Sequence, residues 1–384
     1  MKKYNLILPI AGEANRFKEA GYLMPKPMIP CRDRTILEYA MDPFNMEEAN
    51  VIFIVQKNHV DNYSLDYFLR NKFGQDIKIV ELKSLTKGAL CTCLHSEPYV
   101  DKQLPTVIYT PDVTFHPNFK IENFGIYEAA LLTFKANSED HSYARLDEDG
   151  FVVETKEKEI ISDRAAVGLY FFRDYNKFHK YATLMIENSE MTKGEYYICP
   201  LYNYYIKDNF KVGSILTEKL YVLGTPKELE FYERFVLVDT FRIGLCSDHS
   251  GYEAKEYVKE FLINSEIDFV DYGCFSLKDC DYNIYVEQAS KRLLDNHVDI
   301  VFGFCRTGQG VNICANKIED ILSCIVYDDY SCEYAVRHNC CNFFTFPSKD
   351  LTKEKFHKYL NIIKENKFDG GRHYTRISKF KKYK

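Results

Sequence analysis

RIGLCSDHSGYEAKEYVKEFLINSEIDFVDY, residues Arg242–Tyr272, carries one complete turn of an α/β layer. Arg242–Cys246 is an apolar run of strand length. Ala254, Tyr257, Val258, Phe261 and Leu262 then recur at helical spacing on one face, and Asp268–Tyr272 is a second short run. Strand, helix and strand at these lengths make a βαβ unit. Toward the carboxyl end the cycle returns: a helix around Tyr285–Leu294, a strand at Ile300–Phe304, a helix through Val311–Asn316 and a strand at Leu322–Tyr327. The pattern predicts a doubly wound parallel sheet, a fold that binds ligands at the carboxyl ends of its strands.

Toward the amino end the texture changes. Gly224-Thr225-Pro226 breaks the chain, a helix-like Glu228–Phe235 follows, and the new strand opens at Arg242. We place a boundary near Asp239, giving domains 1–239 and 240–384. The first half is also α/β, with buried strands expected at Asn5–Ile10, Val51–Val55, Val107–Thr110 and Gly168–Phe172. Two domains agree with 384 residues, a length beyond which one core rarely stays intact.

Lys+Arg of 50 against Asp+Glu of 56 leaves a net charge of -6 with no basic block, which argues against nucleic acid as a partner. The apolar start breaks at Glu13 and Arg16, and no later stretch is long and uncharged enough for a membrane span. A cytoplasmic protein is expected. The 13 cysteines are scattered, and the close pairs Cys91/Cys93 and Cys340/Cys341 lack zinc-site spacing, so reduced thiols are expected.

Val301–Phe304 runs directly into Cys305-Arg306-Thr307-Gly308-Gln309-Gly310, a glycine-bearing loop at a helix start. Backbone N–H groups crowding such a point attract anions and favour a thiolate, which makes Cys305 a candidate base. The first strand of this half ends in Ser247-Asp248-His249. Arg337-His338-Asn339 comes later, and the tail holds Gly370-Gly371-Arg372-His373 and Arg376. Arg372 and Arg376 are four apart, on one face if that segment is helical, and such a pair suits a phosphate.

In order, these pieces together with Asp281-Tyr282, Ala315-Asn316-Lys317 and Tyr327-Asp328 resemble the ribose-5-phosphate isomerase B family, which includes the galactose-6-phosphate isomerase subunits. The resemblance covers Arg242–Lys384. It implies aldose–ketose isomerisation through an enediolate, with Cys305 moving the proton and the amides of Thr307–Gly310, including Gly308 and Gly310, stabilising the oxyanion. His338 would assist ring opening. Asp248, Tyr282 and Thr307 would hold hydroxyls, and Asn339 is counted with the substrate-binding residues. His249, Arg372 and Arg376 would take the phosphate. No cofactor is implied for this half, and a homodimer is, because two subunits usually build each site. Arg306 departs from the small residue usual after the base, and Asn283 from a usual Pro.

In the first half, Gly12-Glu13-Ala14-Asn15-Arg16 follows the first strand and Pro25-Lys26-Pro27 comes soon after. With Thr86-Lys87-Gly88-Ala89, Asp112, Glu157-Lys158, Val167-Gly168-Leu169-Tyr170, Gly194-Glu195-Tyr196-Tyr197 and Gly224-Thr225-Pro226, these segments resemble the sugar-phosphate nucleotidyltransferases over Met1–Leu237. The resemblance implies a Rossmann-like mixed sheet and transfer of a nucleotidyl group from an NTP to a sugar phosphate, releasing pyrophosphate. Gly12, Arg16 and Lys26 would meet the nucleotide phosphates, Gly88 would lie near the base, Asp112 would hold Mg²⁺, and Glu157 and Lys158 would face the sugar phosphate. The family's second glycine is replaced by Ala14, and Glu13 adds a negative charge. A Cβ at Ala14 costs little at negative φ and more at positive φ.

The leading reading is a bifunctional sugar-phosphate enzyme. Two others stay open: an isomerase with a degenerate nucleotide-binding domain, and a non-catalytic protein that senses sugar phosphate or nucleotide.

Overall fold

Each apolar run singled out above becomes a strand, with ends that shift by a few residues. The computed structural model describes residues 2–217, 219–236 and 241–380. It divides into two units, Met1–Glu230 and Phe231–Lys384. The boundary expected near Asp239 lies outside the described residues.

Among the described residues of the first unit, nine strands form one mixed sheet. They are β1 (Tyr4–Pro9), β2 (Ala49–Gln56), β3 (Lys78–Leu82), β4 (Thr106–Tyr109), β5 (Ala129–Lys135), β6 (Ser142–Leu146), β7 (Val152–Glu157), β8 (Arg164–Phe172) and β9 (Val212–Leu216). The order is β7-β6-β8-β4-β1-β2-β3, with β5 paired to β8 and β9. β1 to β4 run parallel, whereas β8 lies antiparallel to β4, β5 and β6. The parallel half is buried on both faces, so Leu6, Ile7 and Leu8 read as one continuous apolar run. Helix Tyr175–Glu187 seals part of the core through Tyr175, Phe178, Tyr181, Ala182 and Met185, spaced three or four apart.

Among the described residues of the second unit there are five strands: β10 (Ile243–Ser247), β11 (Phe269–Asp271), β12 (Ile300–Cys305), β13 (Ser323–Ile325) and β14 (Phe343–Pro347). All pairs are parallel, in the order β11-β10-β12-β14-β13. Val301, Phe302 and Phe304 of β12 are fully buried, each such side chain contributing about 2 kcal/mol. Helices cover both faces. Tyr252–Asn264, Asp329–Arg337 and Lys353–Glu365 pack in one cluster, and Tyr282–Leu294 and Gln309–Asn316 in the other. β14 is absent from the sequence reading, and Leu322–Tyr327 shortens to β13.

Candidate functional site

Strand order reverses direction between β10 and β12, so their carboxyl ends diverge into a crevice. Ser247 faces Phe304 across the ladder, which carries Asp248 next to Cys305. The Asp248 N–H donates to the Phe304 carbonyl at 3.2 Å. Asp248 Oδ1 accepts from the Gly251 N–H at 2.8 Å and the Ser250 hydroxyl at 2.6 Å. Ser250 Oγ in turn accepts the Arg306 N–H at 2.9 Å. Ser348 closes the frame: its N–H reaches the Cys305 carbonyl at 3.0 Å and its hydroxyl the Ser250 carbonyl at 3.0 Å. Cys305 is thus buried and held from both neighbouring strands, while the Arg306 side chain is exposed.

Helix Gln309–Asn316 starts four residues after Cys305, with Gly308 as its N-cap at φ 75°. Its first N–H groups have no partner within the helix and open toward the loop. Tyr282 lies on this helix start: a Cβ at Gly310 would come within 2.8 Å of the Tyr282 ring. His249 Nδ1 accepts the Cys280 N–H at 3.2 Å and lies 3.2 Å from Asp279 Oδ1. Cys305, Thr307, Gly308, Gly310, Asp248, His249 and Tyr282 therefore gather at the carboxyl edge.

His338, Asn339, Arg372 and Arg376 do not join them within one chain. Helix Asp329–Arg337 is capped by Asp328, which accepts the Ser331 N–H at 2.7 Å beyond β13. Because β13 and β14 are parallel, this helix runs back against the strands, and His338 emerges at the amino edge. A strand the length of β12 separates the edges, about 20 Å. There His338 stacks on His373 with ring centroids 3.9 Å apart and an interplanar angle of 15°. Arg337 holds Asp369 through Nη2 at 3.0 Å, and Asp369 Oδ2 lies 3.6 Å from His338 Nε2. Arg372 and Arg376 fall on helix Gly371–Ile377, Arg372 Nε donating to His373 Nε2 at 3.2 Å. His338, Asn339, His373 and Arg376 line an open cleft of about 510 Å³. Burial lowers the His338 pKa, with Arg337, Arg372 and Arg376 adding to the effect and Asp369 opposing it. Burial, His338 and the guanidiniums of Arg372 and Arg376 push His373 down to about 4.

In the first unit, β1 and β4 end on the same edge. Leu169 faces Tyr109, Ala165 faces Tyr143 and Glu157 faces Ser142, a register that brings Glu157 to that edge as well. Ala14 stands at φ 52° and ψ 43°, so its Cβ is strained. Gly12 and Arg16 are exposed. Glu13 is paired with Lys18 and accepts from Gln56 Nε2 at 3.4 Å, and Lys18 chiefly holds its pKa below the ordinary carboxylate value. Gly88, at φ 117°, lies where a Cβ would be 2.6 Å from the Tyr196 carbonyl oxygen, so only glycine lets these two segments meet. Burial raises the Glu157 pKa although Ser142 donates to it. Lys158 Nζ reaches the Tyr197 hydroxyl at 2.7 Å.

Lys26 Nζ lies 2.6 Å from Asp112 Oδ1, so the expected phosphate cation and the expected Mg²⁺ ligand pair with each other. Glu228 Oε2 is buried and has no hydrogen-bond partner, and burial raises this carboxyl's pKa. An exposed carboxylate and an orphaned carboxylate oxygen fit a divalent cation. The sequence reading missed Ser250, Ser348, Asp369 and Glu228. Ser250 sits directly after Ser247-Asp248-His249 and was within reach of it.

No helix of the described residues is long and apolar enough to cross a membrane. Residues 243–380 match the model of the Ribose/Galactose Isomerase family. A putative sugar phosphate isomerase of Rickettsia typhi is 30% identical over 142 residues, covering 37% of this chain and 99% of the relative. A probable ribose-5-phosphate isomerase B of Mycoplasma genitalium is 30% identical over 148 residues, covering 38% and 96%. The crystal structure of a nucleoside-diphosphate-sugar pyrophosphorylase from Vibrio cholerae covers 60% of this chain and 99% of its own, with a TM-score of 0.56 and 25% identity. The first unit thus has the fold of a sugar nucleotidyltransferase, and through residues 243–380 the chain belongs to the Ribose/Galactose Isomerase family.

Proposed function

We propose that the chain is a bifunctional cytoplasmic enzyme of phosphorylated sugars. Residues 240–384 interconvert an aldose phosphate and a ketose phosphate, and residues 1–239 transfer a nucleotidyl group to a sugar phosphate. The buried thiol of Cys305, set beside Asp248 at the start of helix Gln309–Asn316, carries the isomerase reading. As a thiolate it takes the proton from carbon 2 and returns it to carbon 1, while the helix N–H groups hold the enediolate oxygen. Asp248 is oriented by Ser250 and Gly251 toward a sugar hydroxyl.

His338 and Arg376 act from a second copy of the chain, since within one chain they lie on the opposite edge. Exposed Ile284, Ile313, Tyr327 and Tyr330, on elements flanking the carboxyl edge, support an apolar seat for that copy. With its pKa lowered, the His338 ring is neutral near pH 7 and able to exchange a proton during ring opening.

In the first unit Asp112 would hold Mg²⁺, which supplies charge neutralisation on the NTP phosphates when bound. Arg16 and Lys26 orient the phosphates, and Glu157 and Lys158 the sugar phosphate.

The test is proton exchange at carbon 2 of ribose 5-phosphate in D₂O, followed by NMR. Wild type exchanges and Cys305→Ala, correctly folded, does not. No exchange in wild type with any pentose or hexose phosphate would overturn the isomerase reading.

A further inference from the structure

We propose that Cys274 and Cys280 are a site of reversible covalent modification, a dithiol that closes to a disulfide and in closing loosens the hold on His249. The consequence for catalysis rests on the phosphate role given to His249 in the isomerase reading. Cys274 follows β11 and is buried. Its N–H donates to the Ser247 carbonyl at 3.0 Å, and its Sγ lies 3.5 Å from Ser247 Oγ and donates to the Ser276 carbonyl at 3.4 Å. Cys280 is only partly buried. Its thiol is hydrogen-bonded both to Cys274 and to the Tyr285 hydroxyl of helix Tyr282–Leu294. Two thiols therefore meet at the two ends of one short loop.

That loop carries its large apolar side chains in solvent, Phe275 being 65% and Leu277 61% exposed, so little core packing opposes its movement. Its far end supports the site directly, since the Cys280 N–H donates to His249 Nδ1 at 3.2 Å. An S–S bond brings the two sulfurs to about 2 Å, and the less anchored partner has to move in. Cys274 is tied to β10 through Ser247, so the Cys280 side moves. It leaves the Tyr285 hydroxyl and draws its N–H away from His249 Nδ1, and the imidazole loses the bond that orients it.

The oxidant is a peroxide. The Cys280 sulfur, the more exposed of the two, attacks one peroxide oxygen; the S–O bond forms, the O–O bond breaks and water leaves. The Cys274 sulfur then attacks the Cys280 sulfenic acid, forming the S–S bond and expelling hydroxide, which takes up the Cys274 proton as a second water. Two thiols lose two electrons and one peroxide becomes two waters. Burial raises the Cys280 pKa, so the reduced pair holds neutral thiols and oxidises slowly.

The test is treatment of the full-length protein with hydrogen peroxide, followed by peptide mass mapping and by initial rates with ribose 5-phosphate. A Cys274–Cys280 cross-link is expected, lighter by two hydrogens than the free thiols, with KM raised about fivefold, the scale of one lost hydrogen bond. Dithiothreitol reverses both. Oxidation of Cys305 under the same treatment lowers kcat and leaves KM unchanged, so the parameter that moves separates the two events. Cys274→Ser keeps the wild-type KM before treatment and shows no rise after it; should that variant fail to fold, Cys280→Ser makes the same comparison. Absence of the cross-link while Cys305 in the same sample is oxidised overturns the proposal, as does a cross-link formed with KM unchanged. Untreated wild type decides the isomerase reading separately, and the mass mapping is independent of it.

Discussion

Ala14 holds a left-handed backbone, φ 52° and ψ 43°, at the entrance of the turn that the resemblance assigns to nucleotide phosphates. An L-residue pays about 1 kcal/mol there that glycine does not. Ala14→Gly is therefore expected to stabilise the first unit by about 1 kcal/mol, read from the denaturant midpoint at constant slope. An unchanged or lower midpoint would show that the turn relaxes around Ala14. Glu13, one residue earlier, is drawn to Lys18 and Gln56, which compensates the negative charge it adds to the turn. If Cys305 is the base proposed above, Cys305→Ala is expected to keep the fold, since the loop is held by backbone and serine contacts, and to lose carbon-2 exchange.

At the scale of elements, helix Asp329–Arg337 and helix Gly371–Ile377 bring His338 and His373 together at the amino edge. Both rings have folded pKa values below the ordinary histidine value near 6.5, His373 down to about 4. Below about pH 6.5 the unfolded chain binds protons that the folded rings refuse. The stability they contribute is thus complete above that pH and lost as pH falls toward 4. Thermal midpoints from pH 7 to pH 4 are expected to fall for wild type and to fall less for His373→Gln. Equal slopes would remove His373 from the account. These elements also show what was legible in the sequence. Runs with strong alternation, such as Arg242–Tyr272, gave correct strands and helices, because burial on both faces of a parallel sheet leaves an uninterrupted apolar signature. β14 escaped because Phe343–Pro347 follows the irregular Cys340-Cys341-Asn342 and ends in proline, a short run without flanking turn signals. The site residues of the carboxyl edge were readable because they follow strand ends directly. Their serine supports were not, since Ser348 reaches Ser250 across 98 positions of sequence. The Lys26–Asp112 pair, 86 positions apart, was equally out of reach.

For the whole molecule, the proposed function turns on the placement of Cys305 and His338 at opposite edges of one sheet. β12 delivers Cys305 to one edge, and the crossover after β13 delivers His338 to the other, so on the proposed reading each chain would carry two half-sites that do not meet in it. In the proposed dimer, two copies related by a twofold axis would place each edge against its complement. Mixing Cys305→Ala and His338→Ala subunits, each inactive alone, tests this most directly. After unfolding and refolding together, the hybrid holds one site with both wild-type residues, and isomerase activity is predicted to return to about a quarter of the wild-type level by random pairing. A mixture as inactive as its parents, with hybrid dimers demonstrated by native mass spectrometry, would contradict a site built from opposite edges of two chains.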